Sequence, residues 1–430
     1  SRLNGKTDRA KDFDWLDKNI PCQKACPAAT DIPGYLAAIY GGRHEDAYLI
    51  NLRDNVFPAV LGRVCARPCE AECRHGWDVL GDPVAICFSK RPSADFKQQN
   101  LVVLDKWFAP SGKNVAVVGS GVAGLATARQ LALLGHQVRV YEKHDTPGGM
   151  MNQGIPTFRL PREIIDREIE QITALGVEIL CNTEIGKNLS LSTLVEQHNA
   201  VILAAGTLRP NLLDLPGKDL EGIRHGLDFL LEVNTTGSTT IGERVVVIGG
   251  GFTAMDCART ARRLGATTVH LEEELSTITA PGSILRIPQG NVRVLYRRSI
   301  NEMLVTPGEL EELEHEQIPM ECMVSPVAFQ GKNGQVKSMR FVRTELGEPD
   351  LSGRRRPVAI AGSEFEIPVD TVLLATGQFP DTDWIDETIK ADLVSEDGWL
   401  KSGADKTTAR DKIFAAGDFA TGASSLIQAI

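Results

Sequence analysis

The sequence predicts an α/β protein in which a helical segment precedes two Rossmann-like nucleotide-binding domains. Two glycine-rich turns carry this prediction, Gly119-Ser-Gly121-Val-Ala-Gly124 and Gly249-Gly-Gly251-Phe-Thr-Ala254. Each turn follows an apolar run of strand type and opens a helix-like stretch. In that setting the glycines let backbone N–H groups approach a pyrophosphate. A third observation is that six of the nine cysteines fall within the first 87 residues, ahead of both turns.

The composition is that of a globular protein with an acidic charge balance. Its 430 residues are enough for about three domains of ~150 residues each. The net charge of −10 argues against the basic face that nucleic acid requires, so we expect no nucleic-acid partner. No apolar run reaches the ~18 residues of a membrane span, and no signal peptide opens the chain. We therefore expect no membrane insertion and a cytoplasmic location.

The residue composition and pattern of the sequence change near residue 113. The preceding segment is helical in character and rich in Cys, Asp and Arg, whereas short Val/Ile runs alternate with amphipathic stretches after it. That alternation is typical of a parallel sheet covered by helices. The chain starts at Ser1 and stops in mid-pattern at Ile430, so we expect the native protein to continue further. The predicted strands lie at 115–118, 138–142, 200–205, 245–248, 292–296 and 371–375, and a predicted helix lies at 254–264.

The first glycine turn and three later features predict an FAD site. Glu142 lies 18 residues beyond Gly124, where a carboxylate can accept hydrogen bonds from a ribose hydroxyl. Gly148 and Gly149 let the backbone approach a bulky ligand. The pair Gly417-Asp418 suits contact with the ribityl or phosphate region of a flavin. The predicted FAD-binding residues are Gly119, Gly121, Val122, Ala123, Gly124, Glu142, Lys143, Gly148, Gly149, Met150, Gly206, Gly417, Asp418 and Leu426.

The second turn predicts a nicotinamide nucleotide, and two interpretations of its ribose position stay open. If the second strand of this motif is 292–296, Arg297 and Arg298 follow it, and guanidinium groups there favour the 2′-phosphate of NADPH. If that strand is instead 269–272, Glu272 takes the ribose position, which favours NADH and leaves both arginines as surface charges. The predicted residues of this site are Gly249, Gly250, Gly251, Phe252, Arg297, Arg298 and Ala375.

The early cysteines predict metal ligation. Thiolates at short spacing in a chain without an export signal resemble iron–sulfur ligands. Zinc is the alternative, although zinc sites usually show two CxxC-like pairs, which are absent here. No CxxC lies near either glycine turn, so a dithiol–disulfide reductase is not expected. Cys181 and Cys257 stand alone and are predicted to be inert core residues. The candidate ligands are spaced as Cys22-x3-Cys26-Pro27, Cys65-x3-Cys69-x3-Cys73 and Cys87.

Together these motifs resemble the small (beta) subunit of NADPH-dependent glutamate synthase and the N-terminal part of dihydropyrimidine dehydrogenase. The resemblance extends over nearly the whole chain. It also covers branches of the family that feed sulfite reductases. The segments that carry it are Cys22-Gln-Lys-Ala-Cys26-Pro27, Gly62-Arg-Val-Cys65 to Cys73, Gly148-Gly149, Ile155-Pro-Thr-Phe-Arg159-Leu-Pro161, Thr253-Ala-Met-Asp256-Cys257, Tyr296-Arg-Arg298, Val342-Arg-Thr-Glu345 and Ala416-Gly417-Asp418.

The resemblance implies an N-terminal helical domain with two [4Fe-4S] clusters, followed by an FAD domain that is interrupted by an NADPH domain. It adds Arg159 and Ile185 as flavin neighbours, and Thr253 and Gly377 as neighbours of the nicotinamide nucleotide. The implied divisions are 1–110 for the helical iron–sulfur domain, 111–235 and 370–430 for the FAD domain, and 236–369 for the NAD(P)H domain.

The chain departs from the family at one of the two clusters. Where the family has a CxxC before the residue matching Cys22, this chain has Asp14 and Asp17. The cluster that they would share with Cys22 and Cys73 is therefore either lost or carries carboxylate ligands. The other cluster keeps three cysteines and has a fourth candidate close by, the set being Cys26, Cys65, Cys69 and Cys87.

These features predict an NAD(P)H:acceptor oxidoreductase that passes electrons through FAD and one or two [4Fe-4S] clusters. We expect the acceptor to be a redox partner subunit, a ferredoxin or a further ferredoxin-like domain. No acid–base residue is predicted, because hydride transfer between stacked rings needs orientation rather than proton transfer. The alternative is a non-catalytic electron-wiring or structural subunit that has lost nucleotide binding. Phe252 in place of the usual Asp, and an apparent insertion at 272–291, are the features that suggest it.

Overall fold

The structure is a computed structural model that describes residues 19–77, 80–264, 291–350 and 353–430. The helices are α1 (Pro21–Ala25), α2 (Ile32–Tyr40), α3 (His44–Asn55), α4 (Pro58–Val64), α5 (Pro68–Ala71), α6 (Arg74–Trp77), α7 (Ile86–Asp95), α8 (Val122–Leu133), α9 (Met150–Gln153), α10 (Arg162–Thr173), α11 (Leu191–Gln197), α12 (Gly226–Thr236), α13 (Phe252–Arg263), α14 (Pro307–His315), α15 (Glu387–Leu393), α16 (Asp418–Thr421) and α17 (Leu426–Ala429).

The strands are β1 (Asn114–Val118), β2 (Gln137–Tyr141), β3 (Glu178–Leu180), β4 (Ala200–Leu203), β5 (Arg209–Pro210), β6 (Ile223–His225), β7 (Arg244–Ile248), β8 (Asn291–Tyr296), β9 (Met320–Cys322), β10 (Val324–Lys332), β11 (Gln335–Pro349), β12 (Arg355–Ala359), β13 (Phe365–Pro368), β14 (Thr371–Leu374), β15 (Gln378–Phe379) and β16 (Ile413–Ala415). Each of the six strands listed from the sequence is present, and no end differs from the prediction by more than two residues. The predicted helix at 254–264 is α13, which begins two residues earlier.

The chain divides into two compact units. One contains residues 1–148, 159–206 and 382–430, and the other contains 149–158 and 207–381. The second unit is therefore inserted into the sequence of the first, as the resemblance implied. The three-domain division stays a prediction, because the helical segment and the first nucleotide-binding fold belong to the same unit here.

The first unit is built on a five-stranded parallel sheet with the order β16-β4-β1-β2-β3. Strand β1 is central and its last four residues are buried, because helices and loops cover both faces of a parallel sheet. Helix α8 follows β1 directly and packs against β1 and β2. The carboxyl ends of β1, β2, β4 and β16 therefore meet at one edge of the sheet, where ligands of such folds bind.

The helical segment of the first unit contains short helices separated by residues that stop them. Prolines stand at the first turn of α1, α2, α4 and α5, where the missing N–H is tolerated. Arg67 before α5 has φ 59°, a left-handed conformation that reverses the chain between Cys65 and Cys69. Breaks of this kind bring the cysteines at helix ends into one core.

The second unit has its own five-stranded parallel sheet with the order β6-β14-β7-β8-β9. Residues alternate between the two faces of each strand. On β7, Val246 and Ile248 pack with the antiparallel strands β10, β11 and β13, whereas Val245 and Val247 pack with helices α12 and α13. Both faces of this parallel sheet are covered, and its carboxyl edge is again where ligands of such folds bind.

Candidate nucleotide and cluster sites

The first glycine turn lies between β1 and α8 and leaves open space for a ligand. Gly119 has φ 101°, and a Cβ there would stand 2.5 Å from the carbonyl oxygen of Ala204, so only glycine fits. A Cβ on Gly121 would meet nothing within 4 Å. Gly121 is also the N-cap of α8 and provides no side-chain cap, so the first N–H groups of the helix face this space. The turn can therefore receive a pyrophosphate.

Glu142 follows β2 and is fixed beside this turn. Its Oε2 accepts hydrogen bonds from the backbone N of Ser120 at 3.0 Å and from Ser120 Oγ at 2.5 Å, and its Oε1 accepts from the N of His144 at 2.9 Å. Gly148 N in turn donates to the carbonyl of Ser120 at 3.0 Å. Ser120 therefore joins two predicted site residues. Sequence reasoning missed it because the motif treats that position as variable.

Gly417 and Asp418 reach the same edge of the sheet on the strand next to β4. Gly417 has φ 60° and ψ −153°, and a Cβ there would collide with the Cβ of Ala123 in the first turn of α8. Asp418 Oδ1 accepts hydrogen bonds from the N of Ser424 at 3.1 Å and from its Oγ at 2.7 Å. Burial raises the pKa of the Asp418 carboxyl. The structure thus brings the two ends of the predicted FAD site together.

The other predicted flavin-binding residues differ in burial and in the unit to which they belong. Ile185 is buried in the sheet core with Tyr141, and Lys143 is exposed. Gly149 and Met150 belong to the second unit, whereas Arg159 belongs to the first. Gly206 has φ 69° and, like Gly121, would have no neighbour within 4 Å of a Cβ.

The second glycine turn repeats the geometry of the first between β7 and α13. Gly249 has φ 151°, and a Cβ there would collide with the carbonyl of Ala375. Gly251 is the N-cap of α13, provides no side-chain cap, and would have no neighbour within 4 Å of a Cβ. Phe252 and Thr253 follow it and are half-buried. The N-terminus of α13 therefore also faces open space.

Gly377 completes this second edge and has φ 100°. Its carbonyl oxygen accepts a hydrogen bond from Asn211 N at 3.2 Å and lies 3.2 Å from Nε2 of His225. Burial lowers the pKa of the His225 imidazole. Neither Asn211 nor His225 was predicted, since no motif marks them.

The two arginines after β8 have different surroundings. Strand β8 pairs in parallel with β7, with Ile248 opposite Leu295, so it is the second strand of this nucleotide motif. Arg298 is buried, and its guanidinium donates to Asp350 Oδ2 at 2.6 Å and to the carbonyl of Arg355 at 2.8 Å. Arg297 is exposed just beyond the strand. Glu272 and most of the apparent insertion lie outside the described residues.

Four thiols share one buried core in the helical segment. Cys87 Sγ donates a hydrogen bond to the carbonyl oxygen of Leu61 at 3.2 Å. The neighbouring Cys87 thiol lowers the pKa of Cys65 to about 6. Burial raises the pKa of Cys69 to about 12. Among the described residues, no three His, Cys, Asp or Glu side chains are arranged round a common metal position. The core contains Cys26, Cys65, Cys69 and Cys87 together with Ile32, Tyr35, Ala38, Ala47, Leu61, Ile86 and Ile427.

The remaining cysteines are not members of this core, although Cys22 packs against it. Cys73 is buried, and Cys22 is half-buried with Cys73 and Cys26 as electrostatic neighbours. Asp14 and Asp17, the predicted replacements for a ligand pair, lie outside the described residues. Cys257 is buried as predicted. Cys181 is only half-buried at the end of β3, so its prediction as a core residue was wrong.

The C-terminal helix α17 connects the two sites of the first unit. Ile427 belongs to the core of the four thiols, and Leu426 and Ile430 pack against it. Ser425 and Gln428 form a capping box that begins α17, seven residues after Asp418. Leu426, which the sequence placed at the flavin, thus contacts the thiol core. No local pattern predicts this contact, because about 340 residues separate α17 from Cys87.

Comparison with known families decides the assignment. Residues 113–430 match the pyridine nucleotide-disulphide oxidoreductase family, and residues 17–102 match the dihydropyrimidine dehydrogenase domain II, 4Fe-4S cluster, family. The chain belongs to the pyridine nucleotide-disulphide oxidoreductase family. The predictions of FAD, a nicotinamide nucleotide and a [4Fe-4S] cluster are confirmed at the level of these families.

Relatives of this oxidoreductase combine the same two parts. The chain is 37% identical to the NADP(+)-dependent formate dehydrogenase subunit beta of Moorella thermoacetica, over 95% of this chain and 58% of the relative. It is 39% identical to the NADPH-Fe(3+) oxidoreductase subunit beta of Geobacter sulfurreducens, over 88% and 54%. It is 32% identical to the glutamate synthase [NADPH] small chain of Escherichia coli, over 96% and 86%. The chain therefore spans little more than half the length of the first two relatives.

Solved structures confirm the fold of the oxidoreductase. Mycobacterium tuberculosis FprA, solved with NADPH, matches with a TM-score of 0.60 at 22% identity, over 73% of this chain and 80% of FprA. A 2-naphthoyl-CoA reductase complex matches with a TM-score of 0.50 at 18% identity, over 92% of this chain and 50% of the reductase. The described part of the chain contains no helix that is both long and apolar enough to cross a membrane.

The residues present in this oxidoreductase fit the implied cofactors. For FAD, the fit is the open space at Gly121, the uncapped start of α8 and the fixed carboxylate of Glu142. For the cluster, the fit is the donor set, because four buried thiols in one core match the four cysteine ligands of a [4Fe-4S] cluster.

Proposed function

We propose that this chain is the electron-input part of a larger oxidoreductase. It would oxidise NADPH and deliver single electrons to a redox partner. In such proteins the nicotinamide supplies a hydride, FAD accepts it, and the [4Fe-4S] cluster carries one electron at a time. The observation that carries the proposal is that the segment following Gly417-Asp418 packs against the four thiols within one unit.

The residues of the first unit would bind and orient the flavin. The uncapped N-terminus of α8 would hold the pyrophosphate, since N–H groups and the helix dipole both favour negative charge there. Glu142 would accept hydrogen bonds from the ribose. Gly417 lets the chain pass α8 without a clash, so Asp418 and the start of α16 can approach the rest of the flavin.

We propose Arg297 as the residue that selects NADPH over NADH. It follows the second strand of the motif and is exposed, whereas the Arg298 guanidinium is bonded to Asp350. A guanidinium at the end of the second strand of such a motif suits a 2′-phosphate. The names of the relatives support the same choice, since each includes NADP or NADPH.

We propose that Cys26, Cys65, Cys69 and Cys87 hold one [4Fe-4S] cluster. A second cluster at Cys22 and Cys73 would require ligands from residues 14 and 17.

We also propose a division into three domains, at 1–110, 111–235 with 370–430, and 236–369, with one domain for each cofactor.

We propose that the electrons leave through a partner subunit, a ferredoxin or a further ferredoxin-like domain. The formate dehydrogenase and glutamate synthase relatives are each named as one subunit or chain of an enzyme, which supports a partner. A cytoplasmic location is proposed as well, because none of the nine cysteines forms a disulfide, as expected in a reducing compartment.

Anaerobic mixing tests the proposed function. The FAD-loaded chain is mixed with NADPH or with NADH, and flavin absorbance is followed by stopped flow. We expect rapid bleaching with NADPH and slower bleaching with NADH. A flavin that stays oxidised with both nucleotides would overturn the proposal and favour the non-catalytic alternative.

Iron and sulfide analysis tests the cluster assignment on the same preparation. About four irons per FAD correspond to one [4Fe-4S] cluster and about eight to two. The absence of iron from anaerobically purified protein would contradict the assignment of the four thiols.

A further inference from the structure

A buried lysine lies beside the four-thiol core. Lys90 is on α7, three residues after Cys87 and therefore on the same side of the helix. Only 2% of Lys90 is exposed, which is rare for an ammonium group. Its side chain thus enters the helical segment instead of the solvent.

Hydrogen bonds fix the position of this ammonium group. Lys90 Nζ donates to Asn55 Oδ1 at 2.9 Å. Asn55 Nδ2 donates to Thr30 Oγ1, and that hydroxyl lies 3.4 Å from the sulfur of Cys26. Asn55 and Thr30 are fully buried. A buried polar chain therefore runs from Lys90 to one of the four thiols.

Among the described residues, no carboxylate is paired with the ammonium group of Lys90. Its hydrogen-bonded neighbour Asn55 is neutral, and within the described ranges no Asp or Glu oxygen lies within 4.0 Å of Nζ. A buried ammonium without a counter-charge is strongly destabilising. Lys90 acts electrostatically on the thiols of Cys65, Cys69 and Cys87.

We propose that Lys90 is the counter-cation of the cluster site and raises the reduction potential of the cluster held by Cys26, Cys65, Cys69 and Cys87. This inference rests on the proposed function. A cluster with four thiolate ligands is anionic and gains one further negative charge when it accepts an electron from the flavin. A fixed, desolvated positive charge stabilises the reduced state more than the oxidised state, because attraction grows with the charge of the cluster.

Replacement of the charge at two neighbouring positions tests the proposal. K90Q removes the buried charge, K90R keeps it, and R91Q removes a charge from the next residue of α7, whose side chain is 56% exposed and paired with Asp95. Each holoprotein is titrated anaerobically with redox mediators. The EPR signal of the reduced cluster and the flavin absorbance are followed separately.

We expect K90Q to lower the equilibrium constant for cluster reduction at least tenfold, which is 59 mV for one electron. K90R should stay within about threefold of the wild type, and R91Q and the flavin potential should not move, since exposed charges are screened. A K90Q cluster with the wild-type potential, or an equal shift in R91Q, would overturn the role of Lys90.

If K90Q loses its cluster, its reduction potential cannot be measured, and the iron content of K90R then tests the role of Lys90. If K90R retains four irons per chain, the charge itself is required, as proposed. If K90R also loses them, Lys90 serves packing and the inference is wrong. Wild-type protein without iron would refute the proposed cluster, whereas iron with an unmoved K90Q potential refutes only the role of Lys90.

Discussion

At Gly417 the backbone has φ 60° and ψ −153°, a combination that residues with a side chain rarely adopt. The strain that another residue would suffer there is about 1–3 kcal/mol, before any contact is counted. A side chain would also collide with Ala123 at the start of α8. Glycine at this position is therefore dictated by the backbone and by the approach of two distant segments.

We expect Gly417→Ala to weaken FAD binding at least tenfold, since ~1.4 kcal/mol corresponds to a factor of ten. The measurement is FAD bound per chain after reconstitution at increasing FAD concentration. Gly112→Ala is the control, because Gly112 also has a positive φ of 70° but a Cβ there would meet nothing within 4 Å. Equal FAD affinity in the two variants would argue against the placement of Gly417 at the flavin.

Arg297 is the residue on which the nucleotide preference depends. We expect R297Q to raise KM for NADPH about tenfold or more and to leave KM for NADH unchanged, since only NADPH has a 2′-phosphate. Steady-state reduction of ferricyanide measures both. R356Q, which removes an exposed arginine of β12, should affect neither. A parallel loss with both nucleotides would show that Arg297 does not read the phosphate.

At the scale of helices and strands, side chains of the nucleotide-binding fold cap the helices α3 and α4 of the same unit. Helix α4 lacks a side-chain cap of its own, and Glu168 of α10 accepts from the N of Ala59 at 2.7 Å and from the N of Val60 at 3.0 Å. At the end of α3, Arg129 of α8 donates to the carbonyl of Leu52 at 2.6 Å. These two caps hold the helical segment against the first sheet.

The Glu168 cap predicts a pH-dependent stability. Burial raises the pKa of Glu168 from 4.5 to about 7. Between these values the unfolded carboxyl ionises while the folded one stays protonated, so its contribution is complete below about pH 4.5 and falls as the pH rises towards 7. At 1.36 kcal/mol per pKa unit, the loss is about 3 kcal/mol at most.

Melting temperatures at pH 5 and pH 7.5 check this prediction. We expect Tm of the wild type minus Tm of E168Q to decrease between the two values, because the glutamine does not titrate. E170Q changes an exposed glutamate of the same helix and should show no such trend. A constant difference for E168Q would mean that Glu168 is ionised across the range.

At the scale of the whole molecule, the proposed cluster ligands and the first glycine turn belong to one unit and the second glycine turn to the other. Hydride transfer from a nicotinamide to a flavin involves no iron, so we expect the cluster to be removable without loss of flavin reduction. C65S should lose the cluster iron and its EPR signal, yet NADPH should still reduce the flavin. C322S, in the other unit, should keep all of its iron. Loss of flavin reduction together with the iron in C65S would show that the flavin site depends on the cluster.

The sequence by itself determined the fold class, six strands of the two parallel sheets and both glycine turns. It could do so because each turn needs glycine for its own backbone conformation, and because buried parallel strands are continuous apolar runs. Each of these patterns is contained within a few consecutive residues. The same holds for the cysteine spacing and for Glu142 directly after β2. The family resemblance added the insertion of one unit into the sequence of the other, which the division of the structure into two units bears out.

Only the tertiary structure decided which groups meet across long stretches of sequence. It placed Ile427 on the thiol core, bonded Arg298 to Asp350, buried Lys90 beside Cys87 and brought Gly417 to Ala123. None of these contacts has a local signature, because each depends on how separate elements pack. The sequence does not show whether a lysine or an arginine is solvated or buried. Packing alone decides which of these charges acts on a cofactor.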